Sequence, residues 1–520
     1  MTVYKGKIIT CDKEDNVYNY LVEDKGVITY VGDTPPEGVS GELVELEDKA
    51  LIPTFVDTHS HFASYAVLAT AVIIGDATSF QEIKDILIDA DKKLRKDKTI
   101  IAFGANTVNV REGRLIDKAL LDQAVADRYI FVISADGHTV IVNSKTLNKL
   151  PMSLSKVRGY NSETGIIKHE AFYKVVDNMP KFIKKKDIFA YLQSAIDALI
   201  LKGIGMVHAA SGTGFPGDLD VDLLRWIAKG QDNGFQMRVF FQTFDTAKVL
   251  KRGLTRLGGC FATALDGSIG SRDAALIEPF EGTDNKGILY YPDDKLYEYF
   301  AKAHNLGLQV QTHAIGDAAF DQATRVWKKV LDSYPRPDHR HGIIHASLVT
   351  EEGMNICRDY GIQILAQPAF IDVSGALFEP MYKALGERVY DAEPHKRFID
   401  AGIIISAGSD APVTIPDPVQ WLYKACNNPN TKHRLTINEA LKMCTYNGYY
   451  ATFDEKKRGS LEKGKIADMV ILSRNPYRIR PEELNKIKVE KTILKGKEFV
   501  SEKKSVFKTI LKGMIRNGIC

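Results

Sequence analysis

The chain contains no C-x-x-C pair: its six cysteines (Cys11, Cys260, Cys357, Cys426, Cys444 and Cys520) are scattered along the sequence. That argues against a zinc-thiolate finger and against a disulfide frame, so free thiols in a reducing cytoplasm are expected. Long hydrophobic runs are also missing. The longest apolar stretch, Ala66–Ile74, falls far short of the roughly 20 residues that a membrane span needs. The opening Met1-Thr2-Val3-Tyr4-Lys5-Gly6 shows no basic-then-apolar pattern, so no secretory leader is expected. Charge of one sign is scarce, with a net +3 over 520 residues, which gives no reason to expect nucleic acid or an anionic membrane as partner. There is no internal repeat. What remains is ordinary globular composition, 44% hydrophobic and 26% charged, and a small molecule is the expected partner.

A chain this long calls for a large domain plus accessory units. Residues 1–53 run in short alternating segments broken by turns: Lys7–Thr10, Asn19–Glu23, Gly26–Gly32 and Glu42–Leu46. Residues 456–504 repeat the style in Ala467–Leu472 and Lys491–Lys495. Such runs are strand language, and the two ends are expected to build one small β-sandwich. Between them, apolar runs alternate with amphipathic helical segments. Their ends give Phe55–His61, Gly205–Ser211, Met237–Thr243, Cys260–Asp266, Gln309–His313, Gly342–His345, Gln363–Gln367 and Ile403–Asp410. That is the number of strands in a TIM-type (β/α)8 barrel, so the fold class is α/β. Strand one lies in 54–61 and the rest of the barrel in 201–455. Residues 62–200 are too many for a β/α step and form an inserted unit, with strands at Ile100–Phe103 and Tyr129–Ser134. Thr436 and Glu439 read as a capping box. The tail, 505–520, sets Val506, Phe507, Ile510, Leu511 and Ile515 on one helical stripe among lysines. It is expected to pack on the body or on a partner chain, which leaves a homodimer open.

The chemistry concentrates at strand ends. In Thr54-Phe55-Val56-Asp57-Thr58-His59-Ser60-His61, the two histidines are two apart and so project to one side of a strand. Alone, such a pair could equally be two satisfied polar groups. His313, His345 and Asp410, each closing another barrel strand, change the balance, because barrel enzymes build their sites on that rim. Imidazoles with a carboxylate suit a divalent metal.

Several segments together resemble the amidohydrolase superfamily and, within it, the N-substituted formamide deformylase-like branch. They are Leu51–His61, Asp136-Gly137-His138 with Asn143-Ser144, Asp266-Gly267-Ser268-Ile269-Gly270-Ser271-Arg272, His313-Ala314-Ile315-Gly316-Asp317, Gly408-Ser409-Asp410-Ala411-Pro412-Val413, and Gly459–Asp468. The resemblance spans nearly the whole chain. It implies a metal-dependent hydrolase of non-peptide C–N bonds with His59, His61, His313, His345 and Asp410 as ligands and zinc as the metal. Two departures stand out. Relatives often carry a lysine on strand four that could be carbamylated between two ions, whereas Cys260–Leu265 has none; and Ile344 stands where relatives place Glu before the strand-six histidine. One ion is therefore expected rather than two, held by His59, His61, His313 and Asp410. Of the possible substitutes, a Cys260 thiolate would favour soft metals, Asp266 sits at a turn, and Lys168 or Glu170 would have to swing in from the insert.

In this reading Asp410 is the general base and acid. His345 ligates a second ion or stabilises the oxyanion. His138, Asn143, Asp266 and Arg272 are the candidates for holding substrate, although Asn143 could be a cap, Asp266 a turn and Arg272 a surface ion pair. The same ligand set would serve a deaminase of an amino-heterocycle. A metal-free binding or scaffold protein of the same fold is the alternative of another class.

Overall fold

Eight parallel strands lie in one sheet, in chain order: Phe55–Ser60, Ile204–Ser211, Gln236–Phe241, Arg256–Gly259, Gln309–Ala314, Gly342–His345, Gln363–Ala366 and Ile405–Ala407. This is a computed structural model, and it describes residues 1–35, 37–38, 40–135, 137, 139–213, 215–371, 378–501 and 506–516. Every residue of the first, second, fifth and sixth strands is buried, as expected of strands enclosed on both faces. The first and last strands close the ring through the main chain. The Asp410 amide donates to the His59 carbonyl at 2.8 Å, and the His61 amide to the Ala411 carbonyl at 2.8 Å. The Thr58 hydroxyl donates to the Ala407 carbonyl at 2.9 Å. This closure also brings three of the expected ligands side by side.

Strand four departs from expectation. It occupies Arg256–Gly259, not Cys260–Asp266, and Phe261–Thr263 is a single 3-10 turn. Gly258-Gly259 looks like a turn in sequence, yet the glycines are needed inside the sheet. At φ +118°, Gly258 lies so close to strand five that a Cβ there would come within 1.7 Å of the Gln311 carbonyl oxygen. Only glycine permits that approach.

The two ends of the chain meet in a seven-stranded sheet. Its order is Lys497–Glu498, Val489–Leu494, Met469–Leu472, Glu42–Pro53, Thr2–Ile9, Val17–Asp24 and Val27–Gly32. Met469–Leu472 runs antiparallel to Ala50–Pro53, whose chain continues directly into barrel strand one. Tyr4, Leu21, Ile28, Leu51, Met469 and Ile493 pack as its core. The inserted segment holds a third sheet of five strands, with Ile100–Ala105 and Ile130–Ser134 parallel at its centre. It has a core of its own that includes Leu87, Ile100, Leu121 and Ile141.

The capping box is present: the Thr436 hydroxyl accepts from the Glu439 amide, and the Glu439 side chain accepts from the Thr436 amide. The tail helix, Val506–Ile515, lies on the barrel helix Leu219–Gly230 at very close range, since a Cβ on Gly513 would sit 1.8 Å from the Trp226 carbonyl oxygen. Lys512 and Arg516 both pair with Asp232 beside it. Among the described residues, no helix is long and apolar enough to cross a membrane, and Cys11, Cys260, Cys357, Cys426 and Cys444 are free and buried.

Candidate metal centre

His59, His61, Cys260, His313, His345 and Asp410 converge at the C-terminal rim of the barrel, each under 10% exposed. On strand one, alternation turns His59 and His61 the same way, and their rings meet edge to face at 5.1 Å. Asp410 Oδ1 lies 3.1 Å from Nε2 of both. Cys260 Sγ lies 3.3 Å from His59 Nε2 and 3.6 Å from His345 Nε2. The donors therefore fall into two overlapping groups: His59, His61, Cys260 and Asp410 in one, Cys260, His313 and His345 in the other. The expected shell of four is divided, with His313 on the side of His345. Lys168 and Glu170 belong to neither; both are exposed, and Glu170 faces Arg158 at 3.6 Å.

The hydrogen bonds around the cluster show which atoms carry protons. His345 Nδ1 faces Gln367 Oε1 at 2.6 Å, and the Gln367 amide nitrogen donates to the Leu365 carbonyl, so the glutamine oxygen is the atom turned toward the ring. His345 therefore donates from Nδ1 and presents a bare Nε2 toward Cys260. His313 Nε2 donates to the Gly267 carbonyl at 3.1 Å, which leaves Nδ1 bare; that atom is buried and has no hydrogen-bond partner among the described residues. Asp410 Oδ1 is likewise buried without a hydrogen-bond partner.

Charge follows the same pattern. Burial works against an Asp410 carboxylate, but His59 and His61 outweigh it and hold the group well below the usual carboxylate range. Burial and the neighbouring His313 push His345 well below the ordinary imidazole range, so it is neutral. Burial, with Asp410 and Asp266 nearby, drives the Cys260 thiol well above its ordinary value in the absence of a cation. A buried carboxylate, the bare Nε2 of His345 and the unpartnered Nδ1 of His313 form a cluster rich in electron-pair donors. A divalent cation fits it.

The backbone is committed to this arrangement. His345 at φ +72° and Asp410 at φ +53° adopt the left-handed conformation that costs a non-glycine residue roughly 1–3 kcal/mol. Asp57, fully buried two residues before His59, accepts from the Ser409 amide at 2.8 Å and its hydroxyl at 2.6 Å, tying strand one to the residue before Asp410. The Cys260 amide donates to Gln242 Oε1 at 2.9 Å, fixing where the thiol emerges. Two aromatic rings border the cluster: Phe261 meets His61 edge to face at 5.0 Å, and Phe370 stacks on His345 at 5.5 Å.

The expected substrate residues have varied placements. Asp266 is buried behind His313, 3.3 Å from its ring. Its oxygens take backbone amides from Ile315, Gly316 and Ala275, so it braces the strand-five loop. Asn143 is a helix cap within the insert. Its oxygen accepts from the Thr146 amide and hydroxyl and its nitrogen donates to the Val125 and Arg128 carbonyls, which leaves nothing for a substrate. Arg272, at φ +58° on the loop after strand four, donates to the Lys383 carbonyl at 3.0 Å. His138 lies outside the described residues, as does Asp136. Sequence reasoning missed Gln367, which supports His345 where Ile344 cannot. Its one signal is a polar residue at the end of an apolar strand. Asp57 was passed over too, its signal being its place at the head of an alternating Asp-x-His-x-His series.

Comparison with known proteins gives the same assignment. The profile of the amidohydrolase family matches residues 42–500. YtcJ of Bacillus subtilis (strain 168) is 26% identical over 490 residues, covering 89% of this chain and 91% of its own. The N-substituted formamide deformylase of Arthrobacter pascens is 22% identical over 540 residues, covering 95% and 97%. The crystal structure of an uncharacterized metal-dependent hydrolase from Pyrococcus furiosus superposes with a TM-score of 0.74 at 26% identity, over 92% of this chain and 100% of that one. With the family's profile running from the first sheet through the barrel and back, over residues 42–500, this chain belongs to the amidohydrolase family.

Proposed function

We propose that this metal-dependent hydrolase cleaves a non-peptide C–N bond, of amide or formamide type, in a small-molecule substrate. The observation that carries the reading is the convergence of Asp410 Oδ1 on His59 and His61 Nε2 at 3.1 Å, in a buried cluster at the barrel rim. A divalent cation bound there, zinc in this reading, supplies Lewis acidity that acidifies water and polarises a carbonyl. His59 and His61, beside Asp410, would hold it through imidazole nitrogens, with His313 and His345 offering theirs in the neighbouring group of donors. Asp410, ionised because its two histidine neighbours favour the charge, accepts the proton of the attacking water and passes it to the departing amine nitrogen. Neutral His345, fixed by Gln367, offers no proton of its own from Nε2 and acts as a ligand. Phe261 and Phe370 border the cluster with apolar rings, which suit an N-substituent lacking charge. The inserted unit leaves the barrel directly after His61, and we take it as the lid that excludes bulk water.

The deformylase relative supports an N-formyl or N-acyl amine as substrate class. A screen of N-formyl amines, N-acyl amines, cyclic amides and amino-heterocycles with metal-reconstituted protein tests this. Release of formate or a carboxylate from the first two classes is expected. Ammonia released only from the heterocycles would replace this reading with deamination.

A further inference from the structure

We propose that Cys260 Sγ is a ligand shared between two metal positions, one formed with His59, His61 and Asp410 and the other with His313 and His345. The proposal rests on the metal-hydrolase reading above and extends it to this chain's own strand-four residue. Cys260 is the one residue common to both donor groups.

The distances fit coordination. A zinc ion at about 2.3 Å from sulfur and about 2.0 Å from nitrogen, in tetrahedral geometry, sets sulfur and nitrogen roughly 3.5 Å apart. Sγ stands 3.3 Å from His59 Nε2 and 3.6 Å from His345 Nε2, one nitrogen from each donor group. A neutral thiol has one proton and can satisfy one of these nitrogens. It cannot serve both, nor the unpartnered Asp410 Oδ1 and His313 Nδ1 beside them. A sulfur bridge with two cations satisfies all of them together.

The thiol is also held in place. Besides the Gln242 bond to its amide, its carbonyl accepts from the Thr263 amide and hydroxyl, both at 3.1 Å. Strand four ends on Gly259 and delivers Cys260 to the rim. The missing lysine therefore removes one kind of bridge while a second kind occupies the same strand end. On loading, the thiol proton leaves to solvent and sulfur donates electron pairs to both ions; no oxidation state changes. A soft shared donor selects zinc, cobalt or cadmium over magnesium or calcium.

Cobalt(II) titration of the metal-depleted full-length protein tests this. Wild type is expected to take up close to two equivalents per chain, with a thiolate-to-cobalt charge-transfer band in the near ultraviolet that grows through both. Cys260→Ser is expected to lose the band and retain about one equivalent. Two equivalents without the band, a band complete at one equivalent with no second ion bound, or an unchanged titration of Cys260→Ser would each overturn the proposal. The wild-type titration needs no variant, so a Cys260→Ser protein that fails to fold does not remove the test. The two claims fail separately. If the bridge is wrong, hydrolysis still disappears with chelator; if the hydrolase reading is wrong, chelator leaves hydrolysis intact whatever the titration shows.

Discussion

Asp410 has two properties that rarely coexist in a buried carboxyl: it is held in its charged form, and one of its oxygens has no hydrogen-bond partner among the described residues. A group kept ionised next to a cation can both ligate and carry a proton. Asparagine keeps an oxygen but cannot carry the proton. Asp410→Asn should therefore reduce kcat by about 10²–10⁴-fold, the usual contribution of general acid–base catalysis, with KM little changed. Steady-state kinetics on the best substrate from the screen decides this. A raised KM at unchanged kcat would show that Asp410 only positions the substrate.

Most of the clustered side chains were legible because all strands of a closed parallel sheet present their C-terminal ends on one rim. Histidine or aspartate closing an apolar run is then placed by that run. His59, His61, His313, His345 and Asp410 could be read this way, strand by strand. Strand four could not, since Gly258-Gly259 has the look of a turn and its reason for being glycine is the carbonyl of Gln311 across the sheet. Gln367 was hidden for a related reason: its bond to His345 crosses between neighbouring strands, 22 residues apart in sequence. The partition into two donor groups depends on side-chain directions that no spacing rule supplies. The strand-four glycine makes a prediction. Gly258→Ala should prevent strands four and five from pairing and abolish cooperative folding. Gly253→Ala, also at positive φ (+64°) but with open space around its Cβ position, should cost only about 1 kcal/mol. Urea unfolding of the two variants compares them directly, and equal midpoints would refute the steric account.

The molecule as a whole buries several neutral histidines that belong to neither donor group. Burial holds His339 down to about 4 and His208 to about 3, and His341 is pushed well below its ordinary value beside His339 and Arg336. In the unfolded chain these rings titrate near 6.5. Above that pH both states are neutral and stability is complete. Below it the unfolded chain takes up protons that the folded chain refuses, so stability falls as pH drops from about 6.5 towards about 4, by roughly 1.4 kcal/mol per pH unit for each such group. Denaturant midpoints should fall between pH 7 and pH 5; a flat profile would mean that these rings titrate alike in both states.

The central claim is that the cluster at the barrel rim holds metal for hydrolysis. Elemental analysis of purified wild type and of the His59→Ala/His61→Ala double variant, each assayed in parallel, tests it most directly. The account predicts a divalent transition metal and hydrolysis in the wild type, and loss of both in the variant. Full hydrolysis by chelator-treated wild type shown to be free of metal would contradict it.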